Sequence, residues 1–219
     1  MENLWNTRFG QKEYAYGTLP NAFFKSAIDT YNVKGKLLLP AEGEGRNAVY
    51  AAKKGLDVYA FDTSIEGKKK AMKLAKENNV TINYEVGDFY SLELLKEKFD
   101  AVALIFAHFT TDIVSDYHKK ITKLLKPNGM VILEGFSKNH IEFQKNNPKA
   151  GGPKNLELLF SKETMTRDFP DFEIIKLEEV EVELDEGIFH QGKAKVIRFI
   201  GRKKINKECL NFFSLDFQI

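Results

Sequence analysis

The stretch Lys36-Leu37-Leu38-Leu39-Pro40-Ala41-Glu42-Gly43-Glu44-Gly45-Arg46-Asn47-Ala48 decides how this chain folds. Lys36 to Pro40 reads as a buried strand, the residues after it as a glycine-rich turn, and Arg46 to Lys54 as a helix. Two glycines let the backbone approach a ligand, and the helix start offers unpaired N–H groups to an anion. Gly43, Gly45 and Ala48 satisfy the dinucleotide pattern G-x-G-x-x-A, although a tight strand-to-helix turn without a ligand has the same appearance.

Outward from this turn, short apolar runs alternate with helix-length amphipathic stretches, the pattern of an α/β chain with a parallel sheet and crossover helices. Strands are expected at Leu56–Phe61, Thr81–Val86, Ala101–Ala107 and Met130–Glu134, with helices at Ser64–Asn78, Leu92–Lys98 and Asp112–Leu125. Lys126-Pro127-Asn128-Gly129 has turn chemistry. Past residue 135 a loop holds Gly151-Gly152-Pro153, Ser161–Phe169 is a short helix, and Glu173–Leu184 and Ala194–Arg202 read as longer strands. Trp5, Phe9, Tyr14, Tyr16, Phe23 and Phe24 make residues 1–33 an ordered segment that packs over the sheet as a lid, leaving 34–203 as the main domain.

Charge separates the candidate cofactors. A pyrophosphate beside Glu42 and Glu44 meets charges of its own sign, whereas S-adenosylmethionine brings a sulfonium and an ammonium with a single carboxylate. Asp62 ends the second strand, where a carboxylate accepts hydrogen bonds from both ribose hydroxyls; Asp62, Thr63 and Ser64 serve equally as helix caps. Gly87-Asp88-Phe89 follows the third strand. Asp88 there either accepts from an adenine amino group or caps the next turn, and Phe89 either covers the ring or belongs to the core.

As a set, these residues resemble a class I S-adenosylmethionine-dependent methyltransferase. The glycine turn, Asp62, Gly87-Asp88, Phe99-Asp100-Ala101-Val102 and Leu125-Lys126-Pro127-Asn128-Gly129 occur in that family's order and spacing. The resemblance spans about residues 34–203 and implies a Rossmann-like doubly wound seven-stranded sheet, mostly parallel with an antiparallel C-terminal strand and flanked by helices. Trp5-Asn6-Thr7-Arg8-Phe9, Glu13-Tyr14-Ala15-Tyr16-Gly17, Pro20-Asn21, Glu42 to Ala48 and the Gly151-Gly152-Pro153 loop are similar to the tellurite-resistance and thiopurine methyltransferase-like branch. That likeness implies a leader that closes over the cofactor, with small or soft nucleophiles as substrates. The acidic residue common in the family's first strand is Leu39 or Pro40 here, and Glu42 is the candidate to replace it at the methionine end.

The expected cofactor contacts are thus Glu42, Gly43, Glu44, Gly45, Asp62, Thr63, Asp88 and Phe89, with S-adenosylhomocysteine as product. His108 follows the fourth strand at the sheet edge where acceptor and methyl group should meet. It is read either as a general base or as a structural histidine bonded to backbone. Trp5, Tyr14, Tyr16, Arg46 and Glu134 are the substrate and lid candidates, while His140 and His190 are assigned surface or loop roles. The run Lys68-Lys69-Lys70 with Lys73 reads as a solvated helix face. No spacing resembles a metal site, and no G-x-S-x-G elbow is present for a serine hydrolase.

Composition bounds the function. With 33 basic against 31 acidic residues the net charge is +2, which gives no electrostatic footprint for nucleic acid. Cys209 stands alone, so neither an internal disulfide nor a cysteine zinc site is available. The longest apolar run, Ala101 to Phe109, is too short to cross a bilayer, and no secretory signal is visible. The reading is a cytoplasmic monomer or homodimer that methylates a small-molecule acceptor, with a C-terminal tail, 204–219, of unassigned role. Its rivals are an NAD-dependent oxidoreductase and a non-catalytic cofactor-binding protein.

Overall fold

Lys36–Pro40 is the central strand, β1, of a seven-stranded sheet in a computed structural model that describes residues 2–89, 91–92 and 96–205. The expected helix at Leu92–Lys98 and the tail, 204–219, both lie partly outside these residues. β2 (Asp57–Asp62), β3 (Asn83–Val86), β4 (Phe99–Ile105) and β5 (Leu125–Phe136) extend the sheet in parallel on the two sides of β1. β7 (His190–Lys203) pairs antiparallel with β5, and β6 (Phe172–Glu186) closes the edge. The order β3-β2-β1-β4-β5-β7-β6 reverses direction at β1 and β4. The carboxyl ends of those two strands flank the crevice in which open α/β sheets bind ligands.

The strands are hydrophobic on both sides because helices cover both faces. Leu37 and Leu39 point into one core layer with Val58, Ala60 and Ile132, and Leu38 points into the other with Val102, Leu104 and Phe199. Helices α3 (Arg46–Lys53) and α4 (Ile65–Glu77) cover the first layer, and α5 (Thr111–Leu124) the second. The expected turn at 126–129 is accommodated inside β5, with Asn128 left-handed (φ 64°) where the β4–β5 register shifts.

Two differences from the expected layout matter for the site. The first concerns the leader: α1 (Glu2–Phe9) packs on α4, but α2 (Ala22–Thr30) is not a lid. Its Phe23, Phe24, Ala27 and Ile28 are core residues of the first layer. The second concerns the C-terminal hairpin, which is longer than its sequence suggests. β7 pairs with β5 only over Val196–Arg202, and residues 190–195 continue past the end of β5 paired to β6 alone. At about 3.3 Å per residue this lengthens the hairpin by roughly 20 Å of strand, and its tip turns back over the carboxyl edge, where the His190 ring lies 5.1 Å from Phe136.

Phe24 is fully buried. Phe24→Ala should therefore lower the unfolding free energy by about 3–5 kcal/mol in urea denaturation. A loss well under 1 kcal/mol would instead make α2 a surface attachment.

Candidate active site

The glycine turn is left-handed at three alternating positions, Ala41 (φ 53°), Gly43 (φ 64°) and Gly45 (φ 87°). The left-handed alternation therefore begins at Ala41, two residues before the Gly43-x-Gly45-x-x-Ala48 pattern. An alanine holds a conformation that costs a side-chain-bearing residue about 1–2 kcal/mol. At Gly43 the close approach is from Phe9 of α1, whose ring would stand 3.0 Å from an added Cβ.

The Glu42 carboxylate accepts hydrogen bonds from the Asn47 and Ala48 backbone amides, both at 2.8 Å, and from Asn47 Nδ2 at 3.3 Å. The chain thus fills the anion hole at the start of α3 with its own side chain. Burial pushes the Glu42 pKa up to about 7, against the pull of those hydrogen bonds and of Arg46. Asp62 accepts from Gly43 N (3.0 Å) and Ser64 N (2.9 Å), and burial raises it to about 6. Neither carboxylate has a salt-bridge partner among the described residues.

Glu44 serves a different end. Its carboxylate accepts from Ala15 N at 2.7 Å and from Lys70 Nζ at 2.8 Å, so it ties the leader to the turn. Lys70 is accordingly a half-buried partner and not a member of a solvated lysine face. Thr63 and Asp88 are exposed, and Asp88 Oδ1 accepts from Ser91 Oγ at 3.2 Å. Phe89 is a core residue, with ring centroids 4.8 Å from Tyr117 and 5.8 Å from Phe61.

A buried polar network lies beyond the turn. Asn21 Nδ2 donates to Glu134 (2.7 Å) and to Glu186 (2.9 Å), while its backbone N–H donates to Asn47 Oδ1. Arg198 pairs with Glu134, and Arg46 pairs with Glu186 and donates to the Tyr16 carbonyl. Glu134 and Arg46 are thus supports that hold leader, helix and hairpin together. Tyr16 lies 4.5 Å from His190 and near Phe9 and Phe189, at the heart of this assembly. Tyr14 packs outward on α4, its hydroxyl donating to the Lys70 carbonyl, and Trp5 stacks on Phe9.

His108 has both ring nitrogens committed. Nδ1 donates to the Leu158 carbonyl at 2.7 Å, and Nε2 accepts from Phe136 N at 3.2 Å. Burial drives its pKa down to about 4. This corrects the general-base reading: the geometry is that of the structural alternative. His140 and His190 are also buried, not at the surface as expected. Sequence reasoning therefore missed Asn21, Glu186 and His190, which acquire neighbours only when distant segments meet. No group of His, Cys, Asp and Glu suited to a metal occurs among the described residues, nor any helix long and apolar enough to cross a membrane. Two surface depressions, of about 220 and 160 Å³, lie elsewhere: at Lys34, Asp100 and Asn128, and beside α5 at Ser115 and Arg167.

Residues 40–129 match a family model described as a methyltransferase domain. No curated protein matches the chain. Among solved structures, one from work on conversion of a disulfide bond into a thioacetal group during echinomycin biosynthesis superposes with a TM-score of 0.77 at 17% identity, covering 98% of this chain and 97% of that one. TehB from Haemophilus influenzae gives 0.65 at 16% identity, covering 93% and 67%. Magnesium protoporphyrin IX methyltransferase (ChlM) from Synechocystis PCC 6803, with bound S-adenosylhomocysteine, gives 0.63 at 15% identity, covering 83% and 80%. The domain match runs from the end of β1 into β5, less than half of the chain, and the solved structures share its fold.

Proposed function

We propose that this protein transfers the methyl group of S-adenosylmethionine to a small-molecule acceptor in the cytoplasm, in the manner of the tellurite-resistance and thiopurine-like branch. The observation that carries this reading is the filled anion hole: with Glu42 on the Asn47 and Ala48 amides, the turn has no place for a pyrophosphate but suits a cation. The buried carboxyls of Glu42 and Asp62 fit the group, since neither has a cationic partner among the described residues and Asp62 retains lone pairs for ribose hydroxyls. Glu42, Gly43, Gly45 and Asp62 would hold the cofactor, and residues 1–17 with the hairpin tip would cover the acceptor. Bound S-adenosylmethionine supplies an electrophilic methyl group on a good leaving group, so the protein's part is alignment and exclusion of water. The leader and hairpin rings of Phe9, Tyr16 and Phe189 provide that dry cover.

Calorimetry tests the reading directly. S-adenosylhomocysteine should bind at micromolar concentration, and Asp62→Ala should weaken it at least about tenfold by removing charged acceptors worth about 1.5–3 kcal/mol each. Binding of NADH without binding of S-adenosylhomocysteine would overturn it.

Proton linkage supplies a second test. Glu42 and Asp62 titrate near 7 and 6 in the free protein because they are buried. A bound ammonium and ribose hydroxyls favour the ionised forms and lower both values. Binding at pH 6.5 should therefore release protons, read as a dependence of the binding heat on the buffer's ionisation enthalpy. Glu42→Gln should reduce that release, and proton uptake on binding would contradict the assigned contacts.

A further inference from the structure

Three histidines surround the Phe136 ring, with centroids 4.2 Å (His140), 5.1 Å (His190) and 5.6 Å (His108) away. Hydrogen bonding sorts them. Both nitrogens of His108 are held by backbone, as described above. So are both of His140, whose Nε2 lies 3.1 Å from the Gly151 carbonyl and whose Nδ1 accepts from Lys195 N. His190 alone has one nitrogen committed, Nδ1, 3.2 Å from Glu186 Oε2. Its Nε2 has no hydrogen-bond partner among the described residues, although the residue is only 4% exposed.

The surroundings fix the ring. Its centroid is 4.5 Å from both Tyr16 and Phe106. Phe106 ends β4 in a left-handed conformation (φ 52°), a strained aromatic residue at the carboxyl edge where such strain marks functional sites. The Gly151-Gly152 pair exists for this packing: an added Cβ at Gly151 would fall 2.5 Å from His190 Cδ2, and one at Gly152 2.7 Å from Phe136. Leader and hairpin tip cross at Ile188 N to the Ala15 carbonyl, with Gly187 against Gly17.

We propose that His190, oriented by Glu186, is the base that takes the proton from the methyl acceptor. The inference rests on the methyltransferase reading above and adds that the acceptor carries a hydrogen on its attacking atom. Glu186 accepts the Nδ1 proton and leaves the Nε2 lone pair for the acceptor, the positioning that a carboxylate gives a histidine base. In the step, the proton passes from the acceptor's X–H to Nε2. The electron pair left on X forms the bond to the methyl carbon, and the carbon–sulfur pair returns to sulfur as a neutral thioether. The imidazolium is stabilised by Glu186 and returns its proton to solvent.

Protonation states agree with this geometry. Glu186 stays ionised down to about 2: burial opposes that charge, but hydrogen bonding to His190 and the Arg46 guanidinium outweigh it. Burial lowers the His190 pKa, with Glu186 pulling it up and Arg46 and Arg8 down, a direction that favours the neutral ring. His108 and His140 face it across Phe136 with both nitrogens of each held, and burial raises the Tyr16 phenol.

The test has three readouts on the full chain. By calorimetry, His190→Gln should bind S-adenosylhomocysteine within about threefold of the parent; failure of the parent to bind sinks the methyltransferase reading, not the dyad. Imidazole nitrogen NMR at pH 7.5 should show His190 protonated on Nδ1 and bare on Nε2. Glu186→Gln should lower its titration midpoint; a proton on Nε2 overturns the proposal. Methyl transfer to two thiol probes then separates base catalysis from general damage. With 2-mercaptoethanol, still protonated at pH 7, His190→Gln should lose about 10²–10⁴-fold in rate. With 4-nitrothiophenol, already a thiolate, it should lose under about threefold. Equal losses, or none, overturn the assignment. If neither probe is methylated, the NMR tautomer decides.

Discussion

The structure turns on the Glu42 carboxylate at the head of α3. A helix start carries unpaired N–H groups and a positive dipole end, and in glycine-turn folds this is where a phosphate settles. Here a side chain from the turn itself takes that place, bonding Asn47 and Ala48. The contact shapes the backbone before it and the ligand preference after it. Ala41, Gly43 and Gly45 take left-handed conformations to bring the carboxylate around. The cost appears as a carboxyl whose burial raises it to about 7, a group that gains from a nearby positive charge.

The same first turn of α3 connects the cofactor turn to everything above it. Asn47 bonds both Glu42 and Asn21; Arg46 bonds the Tyr16 carbonyl and Glu186; Glu44 bonds Ala15. Leader, turn and hairpin are therefore one hydrogen-bonded unit. Its buried charges are paired, Glu134 with Arg198 and Glu186 with Arg46, as burial in a low-dielectric interior demands. A change in the leader's position is felt at the helix start that frames the cofactor turn.

The sheet was legible in the sequence because each parallel strand is a short apolar run with turn residues beside it, and β1 was read to its exact ends, Lys36 and Pro40. The acidic turn and Asp62 were legible for the same local reason. What could not be read depends on pairing between distant segments. The hairpin extends to Glu186 and His190 because charged residues of an edge strand pair as readily as apolar ones, and their alternation carries no signal of where pairing stops. Lys70 looked like its neighbours Lys68 and Lys69 until the leader brought Glu13 and Glu44 to it. Ala41 could not be recognised as a left-handed position, since nothing in an alanine announces it.

The histidines show the limit most sharply. His108 sits at the strand end where a base was expected, yet backbone occupies it on both sides; His190 sits on a hairpin tip where a loop residue was expected, yet it is buried beside a carboxylate. Position relative to a strand end locates a site but does not assign a role within it, because the role depends on which lone pair is left free. A base placed on a hairpin tip has a further consequence. Tyr16 lies 4.5 Å from His190, and Ile188 N on the Ala15 carbonyl and the Arg46–Glu186 pair hold leader and hairpin together, so under the proposed role an acceptor would reach Nε2 when these two segments part. Under that role, access to the base and closure over the cofactor would be the same motion, with water excluded from the reacting atoms as the proton acceptor is brought to them.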